Sequence, residues 1–216
     1  MTSQSDIQNS LEKGMTRLEK TLSEVNWSEI DVYADYLAQT YYYVCHSTRL
    51  LAHSASRFLV SDHVWHKRFI QHISEEFNHE RLALSDLKAI GRSLAEFPEK
   101  PETKAFYLTQ YAMNDVNPKA VLGYILILEL LAVRKGQWLK ERTEIHKTRG
   151  QATSFLRLHS NEDEAHVKEA MALCADLSAS DREAVIQSIQ VSACLMGHWL
   201  GSLGKPKGLE FGACAS

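Results

Sequence analysis

The stretch Leu158-His159-Ser160-Asn161-Glu162-Asp163-Glu164-Ala165-His166 carries two imidazoles and a carboxylate at i, i+4 and i+7. In a helix, successive side chains turn through about 100°, so His159, Asp163 and His166 fall within roughly 60° of one another on one face. Side chains so placed can converge on one cation from a single rigid element. Nitrogen and carboxylate oxygen together suit iron, manganese or zinc, and suit calcium poorly. Glu162 and Glu164 stand beside them, so the same spacing also fits a solvated acidic face. The choice depends on what other segments can bring to that face.

The chain around this stretch is written for helices. Its 216 residues include only 4 prolines and 10 glycines, with few clusters of β-branched residues, which predicts an all-α fold. That length is enough for one sizeable core and demands no second domain. Hydrophobic residues at 44% and charged residues at 24% are the composition of a globular protein in water. A net charge of −3 without a dense Lys/Arg run argues against a phosphate-tracking surface, so no nucleic-acid partner is expected. The longest apolar run, Val121 to Val133, is interrupted by Glu129 and is too short to span a bilayer, so no membrane partner is expected. Cys45, Cys174, Cys194 and Cys214 show no C-x-x-C spacing, and no secretory leader is evident. Reduced thiols in the cytoplasm are therefore expected.

Taken in order, residues 1–27 form an N-terminal segment with Ile7, Leu11, Met15, Leu18 and Leu22 at helical spacing, suited to packing on a larger body. Residues 28–203 read as the helical domain and 204–216 as a glycine-rich, mobile tail. Ser28 is placed to cap a second helix running to about Val60, with Tyr43, His46 and neighbouring tyrosines on one wall. That wall suits either a core or a substrate pocket. A third helix is expected from Asp62 to near Gly91, a natural C′ glycine. It contains Glu76 and His79, the Glu-x-x-His unit that di-iron carboxylate bundles project into their cores. His72, Glu76 and His79 also share a face. Two prolines make residues 92–101 a loop, and a shorter helix follows over about Glu102 to Asn114. Asn117-Pro118 reads as an N-cap with proline at the first helical position. The helix it opens contains Tyr124 and Glu129. Because Glu129 lies in a run that looks buried on most sides, it demands a proton, an arginine or a metal. Gly123 in the same run permits a close helix approach. Ser180-Asp-Arg-Glu183 has the form of a capping box for the last helix.

Three helices thus offer three histidines and three carboxylates, enough for two metal ions with a bridging carboxylate and open positions. Glu129 needs a partner, and the two histidine motifs supply one.

The blocks Ile73–Gly91, Asn117–Glu129 and His159–His166 resemble, in that order, hallmark segments of the haem-oxygenase-like di-iron oxidases and oxygenases. That family lies within the TenA/thiaminase II and pyrroloquinoline-quinone-synthase-like superfamily. The resemblance covers roughly residues 30 to 200. It implies a single-domain, haem-oxygenase-like bundle of about seven helices, with Glu76, His79, Glu129, His159, Asp163 and His166 as ligands of one or two irons. It further implies oxidation of a small organic substrate by dioxygen, in a pocket walled by Tyr43, His46 and Tyr124. His46 is the candidate for proton handling. Two departures stand out. The family's first core helix often adds a carboxylate, where this chain offers His46, and the spacing around Glu-x-x-His varies, so Glu75 or His72 can replace Glu76. Competing readings are a metal-free TenA/thiaminase-like hydrolase, a haem-degrading oxygenase and a non-enzymatic helical binding protein. The hydrolase needs a nucleophilic cysteine, and none stands near Asn117–Tyr124; the haem enzyme needs a histidine near the chain start, and the first 45 residues have none. A homodimer is the default assembly.

Overall fold

The structure, a computed structural model, describes residues 3–146 and 152–204; side chains of residues 3–4 and 160–165 lie outside that description. All regular structure in the described residues is helical: α1 (Ser3–Glu24), α2 (Ile30–Val44), α3 (Ser47–Ala55), α4 (His63–Glu75), α5 (Glu80–Ala89), α6 (Pro101–Val116), α7 (Val121–Thr143), α8 (Ser154–Leu173) and α9 (Ala179–Gly201), joined in part by short 3-10 turns. The described residues have the all-α architecture that the composition predicts.

Helix α7 is the axis of the molecule. It packs against α8, α9 and α1, and Val121 to Ile127 are buried on every side. Asn117 accepts a hydrogen bond from the Lys119 amide at 2.9 Å and Pro118 opens the turn that leads into α7, as that pair predicts. Gly123 lets α9 approach: a Cβ built there would lie 2.5 Å from the Val185 carbonyl and 2.7 Å from the Ile189 nitrogen. α1 buries Ile7, Leu11, Met15, Leu18 and Leu22 against α9 and α7.

Two long helices expected from the sequence are each broken. The second stops at Val44 and restarts at Ser47, after the run Tyr41-Tyr42-Tyr43-Val44, whose side chains lose rotamer freedom in a helix. Ser28 does not cap it; α2 starts after Glu29, and the Ser28 hydroxyl bonds the Asn26 side chain instead. The third is interrupted at Asn78, whose φ is +71°, a left-handed conformation that asparagine tolerates better than most residues. This break puts Glu76 at the C-cap of α4 and His79 at the N-cap of α5. Gly91 ends α5 with a φ of +76°, as a C′ glycine should. At the start of α9 the capping residue is Ser178 rather than Ser180: its hydroxyl accepts from the Asp181 amide at 3.1 Å. Of the expected mobile tail, 204–216, all but Gly204 lies outside the described residues.

Candidate metal centre

The ends of α4 and α5 and one face of α8 converge beside α7. α4 supplies His72 and Glu76, α5 supplies His79, α7 supplies Glu129, and α8 supplies His159 and His166. The Glu76 carboxylate is the hub. One oxygen, Oε1, lies 3.6 Å from His72 Nε2, while Oε2 lies 3.1 Å from His79 Nδ1 and 3.9 Å from His159 Nε2. Glu129 Oε1 lies 3.2 Å from His72 Nε2 and 3.5 Å from His166 Nδ1. Among the described residues, two groups therefore have donor atoms mutually within 4.8 Å: His72, Glu76 and His166, and Glu76, His79 and His159. They share Glu76.

The imidazoles are oriented from behind. His159 Nδ1 lies 2.9 Å from the Phe155 carbonyl one turn earlier, a contact that requires a proton on Nδ1 and turns Nε2 toward Glu76. His166 presents Nε2 to Glu75 Oε2 at 3.4 Å and so turns Nδ1 inward. Glu75 is itself fixed by Arg68 at 3.0 Å and by Gln71 at 2.9 Å. Arg68 also reaches Glu169 on α8 at 2.8 Å, bracing the two ligand-bearing helices against each other. Carboxylates placed behind imidazoles in this way set tautomer and ring direction at metal sites.

The electrostatics describe a buried charge cluster. His72 and Glu129 are each 6% exposed and His166 is 9% exposed. Burial pulls the His72 imidazole down, but Glu129 and Glu76 more than reverse this and lift it to about 9. Glu129 likewise raises His166 against the effect of burial. Burial pushes the Glu76 carboxyl up, and His159, His72 and His79 outweigh it, holding Glu76 well below the usual carboxylate range. Neither Glu129 oxygen makes a hydrogen bond of good geometry; the His72 and His166 rings answer it only as charge partners. Buried carboxylates held by imidazolium protons cost desolvation energy, and a cation that replaces those protons meets the same oxygens and nitrogens.

Of the residues expected from the sequence, the fold brings together Glu76, His79, Glu129, His159 and His166. The Asp163 side chain lies outside the described residues. Glu75, an alternative to Glu76, stands behind His166. His72, whose membership the sequence left open, is central; the i, i+4 spacing to Glu76 was its signal. His46 is not where the pocket expectation put it. Its ring stacks on Tyr107 with centroids 3.7 Å apart and meets the Tyr111 hydroxyl at 3.1 Å, and it does not line the cavity beside the cluster. The helix break after Val44 accounts for this, because a continuous helix would have kept His46 in register with Tyr43. Tyr43 and Tyr124 do line that cavity, which has a volume of about 100 Å³ and a mostly aliphatic wall.

Facing helices that present buried carboxylates and imidazoles are how helical bundles build metal centres. The model of a family described as iron-containing redox enzyme matches residues 34–196, and the chain belongs to that family. Among solved structures it is similar to a domain of unknown function with a haem-oxygenase-like fold from Shewanella denitrificans OS217, with a TM-score of 0.74, 20% identity, and 92% of this chain and 89% of that one covered. It is also similar to a TenA homologue from Pyrococcus furiosus, with a TM-score of 0.72, 11% identity, and 89% and 97% covered. At these identities the two structures speak for the fold alone. Among curated proteins no sequence match is found. No helix among the described residues is long and apolar enough to cross a membrane.

Proposed function

We propose that the chain is a non-haem di-iron oxidoreductase that uses dioxygen to oxidise a small, largely apolar organic molecule. The observation that carries this is the position of Glu76, whose two oxygens face two separate imidazole pairs: His72 with His166, and His79 with His159. The Glu76 carboxylate shared by both groups, the Glu129 carboxylate and four imidazoles make a mixed nitrogen and oxygen donor set of the kind that would hold iron. Both Glu129 oxygens lack a hydrogen bond of good geometry, so the residues present fit a cation. Asp163, on the same helix face as His159 and His166 in sequence, belongs to the proposed set.

Bound iron would activate dioxygen, which would supply the oxidising equivalents. The chain's own residues do the rest. The Phe155 carbonyl keeps His159 Nε2 directed at the site, and Glu75 does the same for His166 Nδ1. Leu128, Leu131, Phe155 and Leu156 line the adjoining cavity and exclude water from the place where substrate would lie. In the absence of metal, His72 holds a proton between Glu76 and Glu129, and that proton leaves when a cation enters.

A cysteine-dependent hydrolase finds less support. Burial raises the Cys45 thiol, and it raises Cys174 to about 12. No described cysteine lines the cavity.

The test is anaerobic loading with iron(II), followed by metal analysis and oxygen-consumption measurements. Wild-type chain is expected to hold two irons and Glu76→Gln none or one, with unchanged helical circular dichroism. A folded wild-type chain that takes up no iron would falsify the reading.

A further inference from the structure

The cavity beside the metal groups contains a polar group that the fold does not use. Tyr124 is 2% exposed and lines the cavity, yet its hydroxyl meets no hydrogen-bond partner of good geometry among the described residues. A buried hydroxyl left unpaired forfeits its hydration without a hydrogen bond in return. Phe106 fixes the ring, with centroids 5.1 Å apart. Burial holds the phenol proton well above its ordinary range, against a smaller downward pull from Ser47, so the group is a donor at any working pH.

The rest of the wall limits what could accept that proton. Lining residues on α7 run from Val121 through Glu129 to Leu139, roughly 27 Å of helix at 1.5 Å per residue. The cavity has a volume of about 100 Å³ and its wall is mostly aliphatic. His72, Glu76, Glu129 and His159 form part of the same wall as Tyr124. Val121, Ile125, Leu128, Leu131 and Leu139 make the α7 side aliphatic. The His72 imidazolium on the wall is answered by Glu76 and Glu129, and Lys135, the one lysine or arginine lining the cavity among the described residues, lies 3.4 Å from Glu19 Oε2. Its charge is already answered within the chain.

We propose that the cavity takes a neutral aliphatic molecule carrying a carbonyl oxygen, which the Tyr124 hydroxyl holds while the rest of the molecule lies along the wall that Glu76 and Glu129 share. This substrate class rests on reading the site as an oxidising metal centre. The oxygen is the handle and the apolar wall orients the rest.

Calorimetric titration of metal-free and zinc-loaded protein with 2-octanone, octanoate and octylammonium tests this. In the metal-free wild-type chain the ketone is expected to bind more tightly than either ion. Tyr124→Phe should weaken the ketone about fivefold, the effect of one neutral hydrogen bond, and leave zinc binding unchanged. The variant should keep the helical circular dichroism of wild type, so that lost ketone affinity reports the missing hydroxyl and not a changed fold. Equal ketone affinity in the two chains, tighter binding of either ion, or no binding of any probe overturns the proposal. The metal-free titration separates it from the reading on which it rests. Ketone binding through Tyr124 in a chain that takes up no metal sinks the metal centre alone, whereas metal uptake with Tyr124-independent ketone binding sinks only the substrate class.

Discussion

His72 Nε2 lies 3.2 Å from Glu129 Oε1, across the gap between α4 and α7. This contact gives the carboxylate in the apolar helix its answer, and it makes His72 the inner imidazole of one of the two donor groups. The other group, built on His79 and His159, does not include it. His72→Ala is therefore expected to lower iron stoichiometry from two per chain to one, and His79→Ala to empty the opposite position. Metal analysis of anaerobically loaded, desalted protein checks both variants. If His72→Ala still retains two irons, His72 is a bystander that protonates only when metal is absent.

Glu75 accepts from Arg68 at 3.0 Å and stands 3.4 Å from His166 Nε2. Removing an orienting carboxylate behind a metal-bound imidazole typically costs 10–100-fold in affinity. Glu75→Gln keeps the shape and loses the charge, so a loss of about tenfold is expected, with stoichiometry kept at two. Cobalt(II) titration followed through the visible absorption bands reads affinity and count together. A fall in stoichiometry with unchanged affinity for what remains would instead make Glu75 a ligand.

Much of this site could be read in the sequence because its parts are local. His159 and His166 lie on one helix face, and Glu76 stands three residues before His79. Glu129 declared itself as a charge inside an apolar run. His72 was legible as a face-sharing neighbour, but its contact with Glu129 depends on how α4 meets α7, which no local spacing encodes. The break at Asn78 was missed because asparagine is tolerated inside helices as well as at left-handed positions. His46 went astray for the related reason that Tyr43 and His46 share a helix only if α2 continues past Val44. Ser178 was passed over in favour of Ser180 because two serines two residues apart both precede an acidic residue, and helix boundaries are uncertain at that scale.

Asp181 ties the start of α9 to the turn before α7. It accepts from Asn117 Nδ2 at 2.9 Å and pairs with Lys119 Nζ at 2.9 Å. Burial raises its carboxyl, and Asn117, Lys119 and Ser178 outweigh that, holding it below the ordinary value. A carboxyl lowered on folding contributes stability that is fully present above its unfolded value of about 4 and is lost as pH falls through the folded value. Asp181→Asn should therefore be less stable than wild type by about 1 kcal/mol near neutral pH. The difference should shrink as pH drops below about 4. Urea unfolding at several pH values measures it, and a gap that widens in acid would contradict the assignment.

Gly123 and Gly197 both lie inside helices, yet alanine is expected to act oppositely at the two. At Gly123 a Cβ would sit 2.5 Å from the Val185 carbonyl, 2.7 Å from the Ile189 nitrogen and 2.7 Å from the Ser188 Cβ. Backbone cannot step aside as a side chain can, so α7 and α9 must separate. Overpacking of this kind costs about 1–3 kcal/mol. At Gly197 the nearest atoms would be Leu18 Cδ2 at 3.9 Å and Thr21 Oγ1 at 4.0 Å, which is ordinary contact. There alanine only removes unfolded-state freedom, a gain of about 0.5–1 kcal/mol. Because Glu129 stands on α7, Gly123→Ala should also weaken metal binding while Gly197→Ala leaves it unchanged. Urea midpoints with constant m-values, paired with cobalt titrations, check both effects, and a stable Gly123→Ala chain with intact affinity would mean α7 is not held by that approach.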